Sequence, residues 1–223
     1  MIKEVDLLHR MYKKIPGTGF SCVNKTECQK VGFVCCVSAW LSLVELVDVF
    51  EWMKVNMNKE VISYYFTLTP RKRNDGEDIC NFHTTDRKCA IYPVRSLKCR
   101  YYGHFSVENY LAKFKIKLKE NCPYKNEEDR KKAPKISYQD IERNEDIINK
   151  INKQHGCYKR MSLSNWISLY FADSNYLESR ELKELQKTLK IWVKFDDYIM
   201  AIVPGSERAE KLIAEGKKIG VLS

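Results

Sequence analysis

Seven of the nine cysteines lie between residues 22 and 99, and their spacing constrains this chain more than any helix or strand pattern. The first group is Cys22, Cys28, Cys35 and Cys36; the second is Cys80, Cys89 and Cys99, with Cys122 beyond it at the start of Cys-Pro-Tyr. Thiolate is a soft ligand that suits zinc, copper(I) and iron–sulfur clusters. Four thiolates close one tetrahedral zinc site or one iron–sulfur cluster. The eight cysteines from Cys22 to Cys122 therefore suffice for up to two four-thiolate sites.

A disulfide framework is the competing use of so many cysteines. The cysteine count is odd, and residues Met1 to Asp6 carry no basic segment leading into an apolar core, as an export signal would. The apolar stretch from Val31 to Phe50 is broken by Ser38, Ser42, Glu45 and Asp48 and does not read as a membrane span. A cytoplasmic chain is the expectation, and reducing conditions there favour metal-bound or free thiols.

The net charge of +10 invites a nucleic-acid reading. The lysines and arginines are spread along the whole length, however, with local runs at Lys113 to Lys119, Arg71 to Arg73 and Arg130 to Lys132. No RNA-binding signature accompanies them. A solvated basic face is the plainer reading, and nucleic acid stays an unsupported possibility.

The fold class expected is α+β, mainly helical, with short strands or hairpins and the cysteines on loops. Ser42 and Glu45 have capping-box spacing, with Leu41 and Leu46 placed for a hydrophobic staple, so a helix should run from Leu43 to about Asn56. Val61 to Thr69 is β-branched and aromatic and reads as a strand, reversed at Asn74-Asp75-Gly76 toward Ile79 to Phe82. Lys88 to Tyr92 reads as a short extended piece after the Thr84-Thr85-Asp86 turn. Helices are expected from Ser106 to Glu120, Tyr138 to Gln154 (stopped by Gly156), Ser164 to Ala172 and Ser179 to Lys190. Strands over Ile191 to Phe195 and Tyr198 to Val203 and a last helix from Glu207 to Glu215 complete the expected order. The polar stretch 123–137 is the best linker, giving a cysteine-cluster region over 1–125 and a helical region with a short hairpin over 126–223, either separate or packed as one unit.

With these residues in view, the chain resembles the zinc- or iron-chelating cysteine-cluster proteins of the YkgJ type. The resemblance spans residues 20 to 123. It rests on Cys22, Cys28 and Cys35-Cys36 followed by the Leu-Ser-x-x-Glu helix start. A second block follows as Cys80-Asn81-Phe82, then Cys89-Ala90-Ile91-Tyr92-Pro93-Val94-Arg95-Ser96-Leu97-Lys98-Cys99-Arg100, and then Cys122-Pro123. It departs from the family in its wider first spacings and in Ser96, where a proline is expected. The resemblance implies Cys22, Cys28, Cys35, Cys36, Cys80, Cys89, Cys99 and Cys122 as metal ligands. The metal expected is iron in one or two iron–sulfur clusters, [4Fe-4S] favoured, with Zn2+ as the alternative.

The residues add detail of their own. In an extended segment adjacent side chains point to opposite faces, so Cys35 and Cys36 are expected to serve two metals, or one metal and the core. Arg95 and Arg100 flank Cys99 and would stabilise an anionic cluster without losing their protons. Tyr92 reads as a core aromatic or a shield, His83 and His104 as bystanders within reach, and Cys157 as a free thiol. His9 and His155 have no supporting context.

Three functional expectations follow. The first is an iron–sulfur or zinc protein in electron transfer, redox sensing or metallocentre maturation, with a protein partner. The cysteine cluster of flagellin lysine-N-methylases is similar, which gives an S-adenosylmethionine-dependent protein lysine methyltransferase as a second. The third is a zinc-stabilised nucleic-acid or protein adaptor. No Walker A loop, Gly-x-Ser-x-Gly or His-Glu-x-x-His motif marks a catalytic site.

Overall fold

The computed structural model describes residues 2–15, 40–67, 79–84, 88–101, 136–157 and 160–198. Helix accounts for 72% of them, and a two-stranded antiparallel sheet is the one sheet among the described residues, so the mainly helical α+β expectation holds. Helix α1 (Ile2–Lys14) was not anticipated from the sequence. Leu8, Met11, Tyr12 and Ile15 recur at helical spacing on its buried side.

Strand β1 (Trp40–Leu41) runs through Ser42 into helix α2 (Leu43–Asn56), which has the bounds its capping box predicts. The Ser42 side chain accepts from the Glu45 amide, and the Glu45 carboxylate accepts from the Ser42 amide at 2.8 Å. Far along the chain, strand β2 (Met161–Ser162) pairs with β1 in the register Trp40 to Ser162 and Leu41 to Met161. It too passes through a serine N-cap into a helix, α6 (Leu163–Phe171). The Trp166 indole on α6 donates to the Leu41 carbonyl at 3.0 Å, which ties the two units together.

Helix α3 (Lys59–Thr67) occupies most of the segment read as a strand, which corrects that expectation. A continuous apolar run can belong to a buried helix as well as to a strand. Here the Asn58 side chain accepts the Val61 amide at 2.8 Å and starts a helix. Ile62, Tyr65 and Phe66 then recur at helical spacing on its buried surface, with Ser63 and Tyr64 also covered. The Asn74 to Gly76 turn lies outside the described residues.

Helix α4 (Leu97–Tyr101) closes the second cysteine block, after a 3-10 turn at Tyr92–Val94. Helix α5 (Tyr138–Gln154) has the predicted bounds, begins at the Ser137 cap and is followed by Gly156 at φ +70°. Helix α7 (Arg180–Trp192) begins at the Ser179 cap and contains Ile191 and Trp192, so the strand expected over Ile191 to Phe195 is absent. The Leu182, Leu185, Leu189 spacing carries the helix on until the Val193 amide closes it on the Leu189 carbonyl at 2.8 Å. The Asp196-Asp197 turn is present as a 3-10 turn at Phe195–Asp197. The helices expected at 106–120 and 207–215, the strand beyond Tyr198 and nearly all of the linker lie outside the described residues.

Two buried clusters hold these elements. One joins α2, α3, α6 and α7 with Phe82, Ile91 and Val94 of the cysteine block. Phe50 is its centre, meeting Phe66 and Phe195 edge-on at 5.7 and 5.0 Å between ring centroids. Such edge-to-face contacts add to simple area burial. The other joins α1, Val44, Leu97, Tyr101 and α5, so described residues on both sides of the 123–137 stretch share a core.

Candidate metal centre

The second cysteine block is held from beneath by apolar side chains and from the side by a buried carboxylate. Phe82 packs against Tyr65 and Phe66, and the Asn81 amide donates to the Tyr65 carbonyl at 3.3 Å. The Ala90 amide returns to the Phe82 carbonyl at 2.8 Å, and a single antiparallel bridge joins His83 to Cys89. The block is thus a narrow loop pair, with the Thr84 amide bonded to the Lys88 carbonyl at 2.9 Å; the extended piece expected over Lys88 to Tyr92 is reduced to the bridge at Cys89, because Ala90 and Ile91 turn and Tyr92 begins the 3-10 turn.

Glu45 supplies the side support. It is 1% exposed and belongs to the capping box, but its Oε1 also accepts the Leu97 amide, the first of α4, at 2.7 Å. The Tyr12 hydroxyl donates to the same oxygen at 3.2 Å. Oε2 takes the Ser42 amide and hydroxyl and lies 3.7 Å from Arg160 Nη1, while Arg160 Nη2 reaches Glu145 at 2.8 Å. A buried carboxylate is tolerated only when paired and hydrogen-bonded, and this one is both. Local spacing accounts for Glu45 as a cap. Its grip on Leu97, 52 residues away, had no local signal, and neither did Arg160.

Of the eight proposed ligands, Cys80, Cys89 and Cys99 are described; Cys22, Cys28, Cys35, Cys36 and Cys122 lie outside the described residues. Burial first and the charge of Cys99 second push the Cys89 thiol up to about 12, against the Ile91 amide and Arg95, which lower it. Cys99 keeps an exposed surface on α4, yet its thiol is also raised, first by desolvation, against the Ser96 hydroxyl and Arg95. Cys80 is half-buried beside the first core cluster, and its carbonyl accepts the His83 amide at 3.0 Å. Among the described residues, no three His, Cys, Asp or Glu side chains converge as a metal cage. A four-thiolate site built on Cys89 and Cys99 would need ligands from the cysteines outside them.

The donor set fits a thiophilic metal. Two thiols sharing a desolvated setting do not ionise readily alone, and a bound cation that replaces their protons removes that obstacle. The same raised thiols fit a redox nucleophile poorly, since reactive cysteines have depressed pKa values.

Arg95 lies with its guanidinium 4.0 Å over the Tyr92 ring and lowers the cost of charge on both sulfurs. Tyr92 is half-buried and serves as that platform. Arg100 is turned toward α1, 4.0 Å over the Tyr12 ring, and donates Nε to the Arg95 carbonyl at 2.9 Å. It also bonds the Pro93 carbonyl through Nη2, so its first role is to brace the loop. The His83 imidazole is half-buried next to this block, whereas His104 lies outside the described residues. Cys157 is fully buried in the apolar core at the end of α5.

The histidines without context acquire one. His9 Nε2 and Asp48 Oδ1 are 2.7 Å apart, joining α1 to α2. His155 meets the Trp192 ring at 3.9 Å between centroids and lies 3.6 Å from Glu4. No described helix is long and apolar enough to cross a membrane. No family model, curated protein or solved structure matches the chain.

Proposed function

We propose that the chain is a cytoplasmic thiolate metal protein that binds an iron–sulfur cluster through Cys89, Cys99 and further cysteines of the set Cys22 to Cys122. Its role is electron transfer, redox sensing or metallocentre maturation with a protein partner. The observation that carries this reading is the short block from Cys89 to Cys99, braced at the Leu97 amide by the buried Glu45 and carrying the Arg95 guanidinium over the Tyr92 ring. Thiolates that outnumber a single structural zinc, flanked by cationic side chains, favour iron–sulfur over zinc. When bound, the cluster would supply one-electron chemistry. The residues of this chain supply its ligands, a braced loop and positive charge.

The test is ligand replacement. Serine offers a hard, protonated hydroxyl in place of a thiolate, so Cys89→Ser and Cys99→Ser should each lose bound metal. Cys157→Ala, altered in the apolar core at the end of α5, should keep wild-type stoichiometry per folded protein. Full metal retention in both serine variants would remove these two residues from the site.

A further inference from the structure

Resting on the proposed metal centre, we infer that Ser96 is a hydrogen-bond donor to the ligating sulfur of Cys99, a positioning residue that raises the reduction potential of the bound cluster. Ser96 is 1% exposed, at the head of α4, and its hydroxyl donates to Cys99 Sγ at 3.3 Å. Its carbonyl accepts the Arg100 amide at 2.9 Å, while Glu45 holds the next amide, Leu97, at 2.7 Å. The peptide on the C-terminal side of the serine is therefore held at both its carbonyl and its amide. Its hydroxyl is presented to the sulfur by a rigid frame and not by a mobile loop.

The backbone here does not itself demand serine. Arg95 sits at φ −58° and ψ 149°, the extended conformation that a following proline requires. A proline at 96 would fit that geometry but could offer the sulfur no donor. What serine adds is the O–H.

The consequence has a definite sign. A hydrogen bond to a charged sulfur strengthens as electron density on that sulfur grows. The reduced cluster carries one more electron than the oxidised one, so the Ser96 hydroxyl stabilises the reduced state more and lifts the potential. Removing the hydroxyl should favour the oxidised state about tenfold, a fall of about 59 mV for one electron.

The experiment is an anaerobic redox titration of the intact, cluster-loaded chain and of Ser96→Ala, Ser96→Pro and Ser96→Thr, each with its iron and sulfide content measured. Ser96→Ala and Ser96→Pro should retain the cluster and show the lowered potential, while Ser96→Thr, which keeps the hydroxyl, should stay near wild type. A loaded wild type whose potential is matched by Ser96→Ala overturns this inference and leaves the metal centre standing. The inference also fails if Ser96→Thr falls as far as Ser96→Ala, because packing and not the donor would then be responsible. A wild type that holds no iron or sulfide overturns the iron–sulfur reading itself.

Discussion

At the scale of single residues, Glu45 does the most. It caps α2, holds the first amide of the cysteine helix α4, receives the Tyr12 hydroxyl and faces Arg160. Glu45→Ala would leave Arg160 buried with Glu145 as its one remaining carboxylate among the described residues, and would strip the acceptor from Leu97. Breaking a buried ion pair from one side costs about 3–5 kcal/mol, and a loss of that size in a denaturant titration is expected. Ser42→Ala removes the cap and the hydroxyl's bond to the buried Glu45 carboxylate, and should cost about 1–3 kcal/mol with metal content unchanged. Asp48 gives the pH-dependent case. Burial raises its pKa above the usual carboxylate value, with His9 opposing. A carboxyl raised on folding favours the folded state while protonated, and that contribution is lost as pH rises through the folded value. Asp48→Asn should therefore gain stability relative to wild type at neutral pH, the difference closing as pH falls into the acid range. Thermal melts across a pH series check it; a gap that widens on acidification would contradict the sign.

At the scale of elements, legibility followed where the signal was local. Ser42 announces its helix because a capping box is read from one residue and its neighbours, and the structure places that box; Ser137 and Ser179 turn out to cap their helices in the same way. Gly156 announces the end of α5 because its φ of +70° suits a residue without a side chain. With nothing within 4 Å of a built side-chain carbon, Gly156→Ala meets no clash, and the expected loss of about 1 kcal/mol is purely conformational. Helix α3 was misread because residues buried nearly all round, as Ile62 to Phe66 are, erase the periodicity that separates helix from strand. Two-residue strands such as β1 and β2 have no sequence signature of their own; each exists through a partner far away in the chain. Gln186 is a comparable nonlocal case. Its side-chain amide donates to the Leu169 and Ala172 carbonyls at 2.7 Å each, closing the end of α6 from α7. Gln186→Leu should cost about 1–3 kcal/mol by leaving those acceptors without their donor, measurable by chemical unfolding.

At the scale of the whole molecule, the cysteine block is where both cores meet. Phe82, Ile91 and Val94 belong to the aromatic core around Phe50, whereas Leu97 and Tyr101 belong to the core under α1 and α5. The sequence made the thiols legible by type and spacing, but not the buried carboxylate that braces them. Nothing in the local pattern distinguishes a glutamate that only caps from one that also reaches a second loop. Metal bound at Cys89 and Cys99 would thus be coupled to both cores, so its removal should lower the unfolding midpoint of the whole chain and not of one segment. The most direct measurement of the central claim is purification of the unmodified chain under anaerobic conditions, followed by quantification of iron, acid-labile sulfide and zinc per chain. Iron and sulfide in stoichiometric, matching amounts are expected. Stoichiometric zinc with no sulfide, or no metal at all, would contradict an iron–sulfur centre.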